Sequence, residues 1–225
     1  RAVTMAACAG PLVVRFPAVD LAEQVEAFAM RWPMAVADRR GWVFAAGDVG
    51  ARLRVPLAAL RVLPGERIGD YLARLRPASE RQVVLLLQAG AMAIGCWDGD
   101  ELVDHKAMRK YVVRGHGKAQ PKHSRTRGKS RYGARLRLQN WQRLLAATNE
   151  RLVDCQDRFG VPERIFLAVP VRAFVDLLAA DPPPPFRRDD ARLQRVPMHV
   201  HRPDHGELLR VRGWLMHGRL ELPAS

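Results

Sequence analysis

Three groups of residues have the types and spacing that chemistry requires. Asp98, Asp100, Glu101 and Asp104 crowd a turn signal, and carboxylates at strand ends can hold two divalent cations for phosphodiester cleavage. Such a nuclease needs a second carboxylate set on a separate element, and none occurs near 164–170. Asp-Gly-Asp is then better read as hairpin-turn chemistry. His199, His201, Asp204 and His205 form His-x-His-x-x-Asp-His. The zinc-hydrolase motif of similar composition has one residue fewer between the second His and the Asp, so surface histidines around Pro203 are the better account. The third group is the stretch His105–Asn149. It carries thirteen Lys and Arg and no Asp or Glu, whereas the whole chain has 37 Lys+Arg, 23 Asp+Glu and a net charge of +14. Outside the stretch the charges nearly balance. Charge this concentrated points to a polyanion, most commonly nucleic acid.

The cations are Lys106, Arg109, Lys110, Arg114, Lys118, Lys122, Arg125, Arg127, Lys129, Arg131, Arg135, Arg137 and Arg143. Aromatic residues are scarce among the loop cations, Tyr132 excepted, so backbone contact with RNA fits better than base reading. Trp97, Trp141 and Trp214 fall on apolar faces or strand ends and read as core rather than stacking platforms. Residues 107–113 read as a strand. Residues 115–133, with four glycines, a proline and little to bury, read as a long mobile loop. Leu138, Trp141, Leu145, Leu152, Cys155 and Phe159 recur at helical spacing and predict a long amphipathic helix from Ala134.

This region resembles the signature of the Vms-like release-factor family, peptidyl-tRNA hydrolases of ribosome quality control and their bacterial relatives. The family is distant kin of the central domain of the eukaryotic and archaeal peptide-chain release factor. The matching residues are His105-Lys106, Gly117-Lys118-Ala119-Gln120, Gly128-Lys129-Ser130 and Arg135 to Asn140, within about 40 residues. Lys118 and Ala119 stand where release factors have two glycines, a position that Vms-like members also relax. The resemblance implies hydrolysis of the ester joining a nascent peptide to tRNA on a stalled ribosome or large subunit. Gln120, with Gly117, is the implied catalytic element. Its side chain would place the attacking water, and its N–H would meet charge developing on the ester. Pro121 presets Gln120 toward an extended backbone. Lys106, Arg109, Lys110, Arg114, Lys118, Lys122, Arg125, Arg127, Lys129, Arg131, Arg135 and Arg137 would bind tRNA or rRNA phosphate. No metal, nucleotide cofactor or nucleophilic triad is implied. The competing reading is a non-catalytic ribosome- or RNA-binding factor on the same fold, in which Gln120 is incidental.

The remaining pattern predicts an α/β protein in two parts. Residues 1–78 read as a small α+β unit: a strand from Leu12, a helix capped by Asp20, a hairpin across 47–50, and a short helix from Arg67. Residues 79–225 read as β-β-β-α-β-α-β-α, the order of an RNase H-like mixed sheet with helices on both faces. In that reading 193–200 is an edge strand and 207–220 a final helix. Cys8, Cys96 and Cys155 form no CxxC pair and no even framework, which predicts a reducing compartment. Met5–Val14 lacks a signal-peptide layout, and no apolar run reaches membrane-span length. A cytoplasmic monomer is expected.

Overall fold

Phe16, Leu21, Val25, Phe28, Trp42, Leu53 and Tyr71 are almost wholly buried together, and the elements carrying them follow from that requirement. In the computed structural model, which describes residues 12–47, 49–75, 80–112 and 127–223 (backbone alone for 127–132), the first strands are Leu12–Pro17 (β1), Val36–Asp38 (β2), Gly41–Ala46 (β3) and Val49–Arg54 (β4). Helix α1 covers Leu21–Arg31 and α2 covers Ile68–Arg74. The β3–β4 hairpin forms with Trp42 opposite Leu53 and Ala46 opposite Val49, so Val49 and Gly50, expected in the turn, belong to β4. Asp20 makes no side-chain capping bond, because a 3-10 turn over Ala18–Asp20 precedes α1 instead.

In the second part, Arg81–Gln88 (β5), Ala91–Asp98 (β6) and Glu101–Arg109 (β7) form an antiparallel meander. The helix Arg127–Phe159 (α3) follows, then Arg164–Ala168 (β8), Val171–Leu178 (α4) and Leu193–Arg195 (β9). Strand β8 runs parallel to β5, and β9 parallel to β8, giving the order β7-β6-β5-β8-β9. The expected strand at 193–200 stops at Arg195, two residues before Pro197, which has no N–H to give.

The central strands are apolar throughout because both faces are covered. Val83, Leu85, Leu87, Met92, Ile94 and Cys96 pack with Leu144, Leu145, Leu152 and Cys155 of α3 and with Leu177 of α4. On the opposite face Val84, Leu86, Ala93 and Phe166 are equally buried. A Cβ placed on Gly95 there would lie 2.9 Å from Leu208, which belongs to the helix His205–Leu215 (α5). Truncating a residue such as Leu85 in this layer would cost about 2–5 kcal/mol. Helix α3 ends where Gly160 adopts φ 86° and its N–H bonds the Gln156 carbonyl at 2.8 Å, a left-handed cap that glycine makes without strain.

The end of the chain departs from the sequence reading. The expected helix 207–220 is α5 followed by a strand, His217–Leu222 (β10). That strand joins the first sheet, whose order is β1-β10-β4-β3-β2. Residues 217–222 alternate with period two, and Gly218 leaves room for the Phe16 ring, 2.2 Å from where a Cβ would stand. The chain accordingly divides into one unit of Arg1–Ala78 with Arg212–Ser225 and another of Ser79–Val211. Residues 212–225, grouped with the second part by sequence, fall with the first.

Candidate nucleic-acid interface

Strand β7 presents its residues to two different faces. Its ladder sets Asp104 opposite Cys96, Lys106 opposite Ile94 and Met108 opposite Met92. These partners belong to the core under α3, so Asp104, Lys106 and Met108 take the α3 face. His105, Ala107 and Arg109 take the other. There Arg109 pairs with Asp204 at 3.2 Å, and His105 lies against His205 with ring centroids 4.2 Å apart. The strand is thus not one basic ribbon. Lys106 faces the helix side, whereas Arg109 is engaged with an acid next to α5.

Beyond β7, Lys110 donates its N–H to the Gly90 carbonyl at 2.9 Å. Gly90 has φ 87°, and a Cβ there would stand 2.8 Å from the Lys110 carbonyl, so the β5–β6 turn and the end of β7 approach too closely for another residue. Tyr111 follows, exposed, and its carbonyl accepts a 2.9 Å bond from Asn140 Nδ2 of α3. Residues 113–126 lie outside the described residues. Gly117, Gln120, Arg114, Lys118, Lys122 and Arg125 are among them.

The helix begins earlier than its apolar period suggests, at Arg127 rather than Ala134. Part of the expected loop, 127–133, is therefore helical backbone. These turns mix Arg and Lys, which favour helix, with Gly128 and Gly133, which do not, and carry no apolar face, so neither propensity nor periodicity gives a signal. Positions 127, 131 and 135 recur every four residues along one stripe, with 129 and 137 off it. Arg135 is exposed and Arg137 half-buried. Leu138, expected on the buried face, is 58% exposed. Burial starts further on: Trp141 packs against the core and donates Nε1–H to Asp176 at 2.9 Å, and Leu144 is sealed.

Two further ties hold α3 in place. Asn149 donates to the carbonyls of Leu177 (3.0 Å) and Pro182 (2.7 Å). Asp104 accepts from Arg151 and, at 2.7 Å, from Arg158, with Asp154 bonded to both arginines. Asp104 of the Asp98–Asp104 group is thereby committed to arginines. Cys96 and Cys155 form a disulfide, which runs against the reading of three cysteines without an even framework as a sign of a reducing compartment; their separation of 59 residues carries no recognisable spacing.

The histidine group resolves into capping. Glu207 accepts from Arg210 and from the His201 N–H. The Arg210 bonds are the main cause that holds its carboxyl down at about 2. Asp204 caps α5 by accepting the Glu207 N–H at 2.9 Å. Among the described residues no three His, Cys, Asp or Glu side chains gather as a metal site. No described helix is long and apolar enough to cross a membrane. Trp97 is buried and Trp214 half-buried.

A mouse relative, the tRNA endonuclease ANKZF1, is 32% identical over 154 residues, covering 66% of this chain but only 20% of ANKZF1. The chain thus spans about a fifth of that relative's length. A solved structure, the Vms1 mitochondrial localization core, aligns over 88% of this chain and 81% of its own, with 14% identity and a TM-score of 0.49. The family model described as the Bacteroidetes VLRF1 release factor matches residues 82–221, more than half of the chain, and the protein belongs to that Vms-like release-factor family.

Proposed function

We propose that this protein is a ribosome-associated release factor that hydrolyses the ester between a stalled nascent peptide and its tRNA. The observation that carries this reading is the family match over 82–221, because it spans the acid-free stretch 105–149 and Gly117–Gln120 within it. In this reading the cations of 114–137 enter a phosphate-lined site. Gln120 places water at the ester carbonyl while its N–H donates to the developing oxyanion. Water adds to the carbonyl, the tRNA 3′ oxygen leaves with a proton, and the peptide departs as its carboxylic acid. The strand order β7-β6-β5-β8-β9, three antiparallel strands followed by two parallel ones, supports an RNase H-like sheet as the platform.

The mouse relative's endonuclease activity favours a second reading, cleavage of a tRNA phosphodiester. Little in the chain's own residues supports a two-metal mechanism for it. Of the inner strands, β5 and β8 carry no Asp or Glu and β6 carries only Asp98 at its end, and Asp104 is held by two arginines. A peptidyl-tRNA labelled on both the peptide and the tRNA, bound to stalled large subunits, separates the two. Free peptide with intact tRNA supports ester hydrolysis; a shortened tRNA carrying the peptide supports the nuclease; neither product leaves a binding factor.

A further inference from the structure

The first unit carries a charged sheet face that no single window of the sequence contains. Phe16, Trp42, Ala51 and Leu53 pack with Leu21, Val25 and Phe28 of α1 and with Tyr71 of α2, so the residues between them take the opposite face. Across that face the ladders set Arg15 of β1 opposite Arg219 of β10, and Arg219 opposite Arg54 of β4. Three strands remote in sequence thus place three arginines in one row. At a strand spacing of about 4.8 Å, the outer two stand roughly 10 Å apart at the backbone. Arg52 lies on the same face of β4, between Glu221 and Val43. Arg15 and Arg52 are exposed, and the Arg219 side chain keeps 44% of its exposure.

Like charges directly opposite each other across a ladder destabilise a sheet. The acids of the face offset little of this. Asp38 takes Arg54 at 2.7 Å, and Glu221 comes within 3.8 Å of Arg219. Among the described residues no acid pairs with Arg15 or Arg52. A bound polyanion would supply the missing counter-charge. We propose that this face binds the phosphate backbone of RNA, as a contact separate from the basic stretch 105–149. All four cations are arginines, whose planar fork meets a phosphate through two parallel N–H bonds. Val13, Val36, Val43 and Ala45 fill the neighbouring positions of the face. These offer no ring on which a base could stack, so the contact follows the backbone and is indifferent to sequence. It is also independent of the hydrolase reading, since it concerns binding and not ester chemistry.

The test uses the whole chain with two RNA probes, purified large ribosomal subunits and a mixed-sequence RNA duplex. Vesicles of phosphatidylcholine and phosphatidylserine serve as a third probe. One variant carries Arg15→Gln, Arg52→Gln and Arg219→Gln together, and a second carries Lys at the same three positions. Arg54 is left in place because it pairs with Asp38. The Gln variant should lose about ten- to a hundred-fold in affinity for both RNA probes near 0.15 M salt, and its log–log salt slope should flatten by about 2–3. The Lys variant keeps the charge and should keep the slope. The thermal midpoint of the Gln variant should equal or exceed that of wild type, because a repulsion has been removed. Amides of β1 and β10 in the wild type should gain hydrogen-exchange protection on subunits. Wild-type affinity and slope in the Gln variant overturn the proposal, as does an absence of protection in β1 and β10. Equal loss in the Gln and Lys variants with a lowered thermal midpoint also overturns it, since the arginines would then be structural. Loss on subunits alone would mean a ribosomal protein is the partner, and tighter binding to vesicles than to the duplex would mean a lipid surface; either result overturns the RNA assignment.

Discussion

Cys96 and Asp104 stand opposite each other across the β6–β7 ladder, and both reach the same helix: Cys96 through its disulfide to Cys155, Asp104 through Arg151 and Arg158. The covalent and ionic ties are thus adjacent, and they fix α3 roughly 17–27 Å below Asn140 along its axis.

The ionic tie can be measured. Asp104→Ala leaves the Arg151 guanidinium partly buried with Asp154 as its remaining acid. Losing one partner of a fully buried pair costs about 3–5 kcal/mol. Arg151 and Asp104 retain 20% and 15% exposure, so a loss of about 1–3 kcal/mol is expected in denaturant unfolding. A change below about 0.5 kcal/mol would mean that the network adds nothing to the anchoring of α3.

What the sequence reveals here depends on how local each feature is. Strands β5, β6 and β8 are legible because burial on both faces leaves near-continuous apolar runs. The body of α3 is legible from its apolar period, but its first turns, 127–133, have no such period. Strand β10 is hidden for another reason. Residues 217–220 can extend a helix by local preference, and only pairing with β1 and β4 makes them a strand. Lys106 and Arg109 belong to one charge run by composition, yet their odd spacing sends them to opposite faces. Arg109's partner, Asp204, is 95 residues away and cannot be inferred from spacing. The family itself is legible through order and type, since the family match covers the residues that the charge map singles out.

The placement of β10 predicts that the chain's C-terminal strand is needed by the first unit. It lies between β1 and β4, and Gly218 fits under the Phe16 ring. Gly218→Val forces that ring out of its site, and overpacking of this kind costs about 1–3 kcal/mol. Hydrogen exchange should accelerate in β1 and β4 while β5 and β8 keep their protection. Equal acceleration in all four strands would show that the two units unfold as one.

Glu207 gives a pH dependence of definite sign. Its carboxyl is held at about 2, against an ordinary value of 4.5, chiefly by hydrogen bonds from Arg210. A depressed carboxylate contributes stability that is fully present above the unfolded value and is lost as pH falls through the folded one. Solvent around Arg210, 42% exposed, reduces the contribution to about 1–2 kcal/mol. Wild type should therefore lose that much relative to Glu207→Gln between about pH 5 and 2, and the two should titrate in parallel above about pH 6. A constant difference across the acid range would show that Glu207 titrates alike in the folded and unfolded protein.

The decisive variants are at Gln120. The stretch around it is basic and glycine-bearing, with almost nothing apolar to bury, so Gln120→Ala should leave folding and affinity for stalled complexes unchanged. If the side-chain amide places water, release falls roughly ten- to a thousand-fold, the range for losing one transition-state donor. Gln120→Pro removes the backbone N–H as well. Where the N–H carries the stabilisation of the oxyanion, Pro is far worse than Ala; where the side chain carries it, the two losses are alike. Release by wild type, Ala and Pro forms at one rate would sink the catalytic role of Gln120. With binding retained, it would leave the cations of 105–149 as an RNA-docking surface and place the chemistry elsewhere.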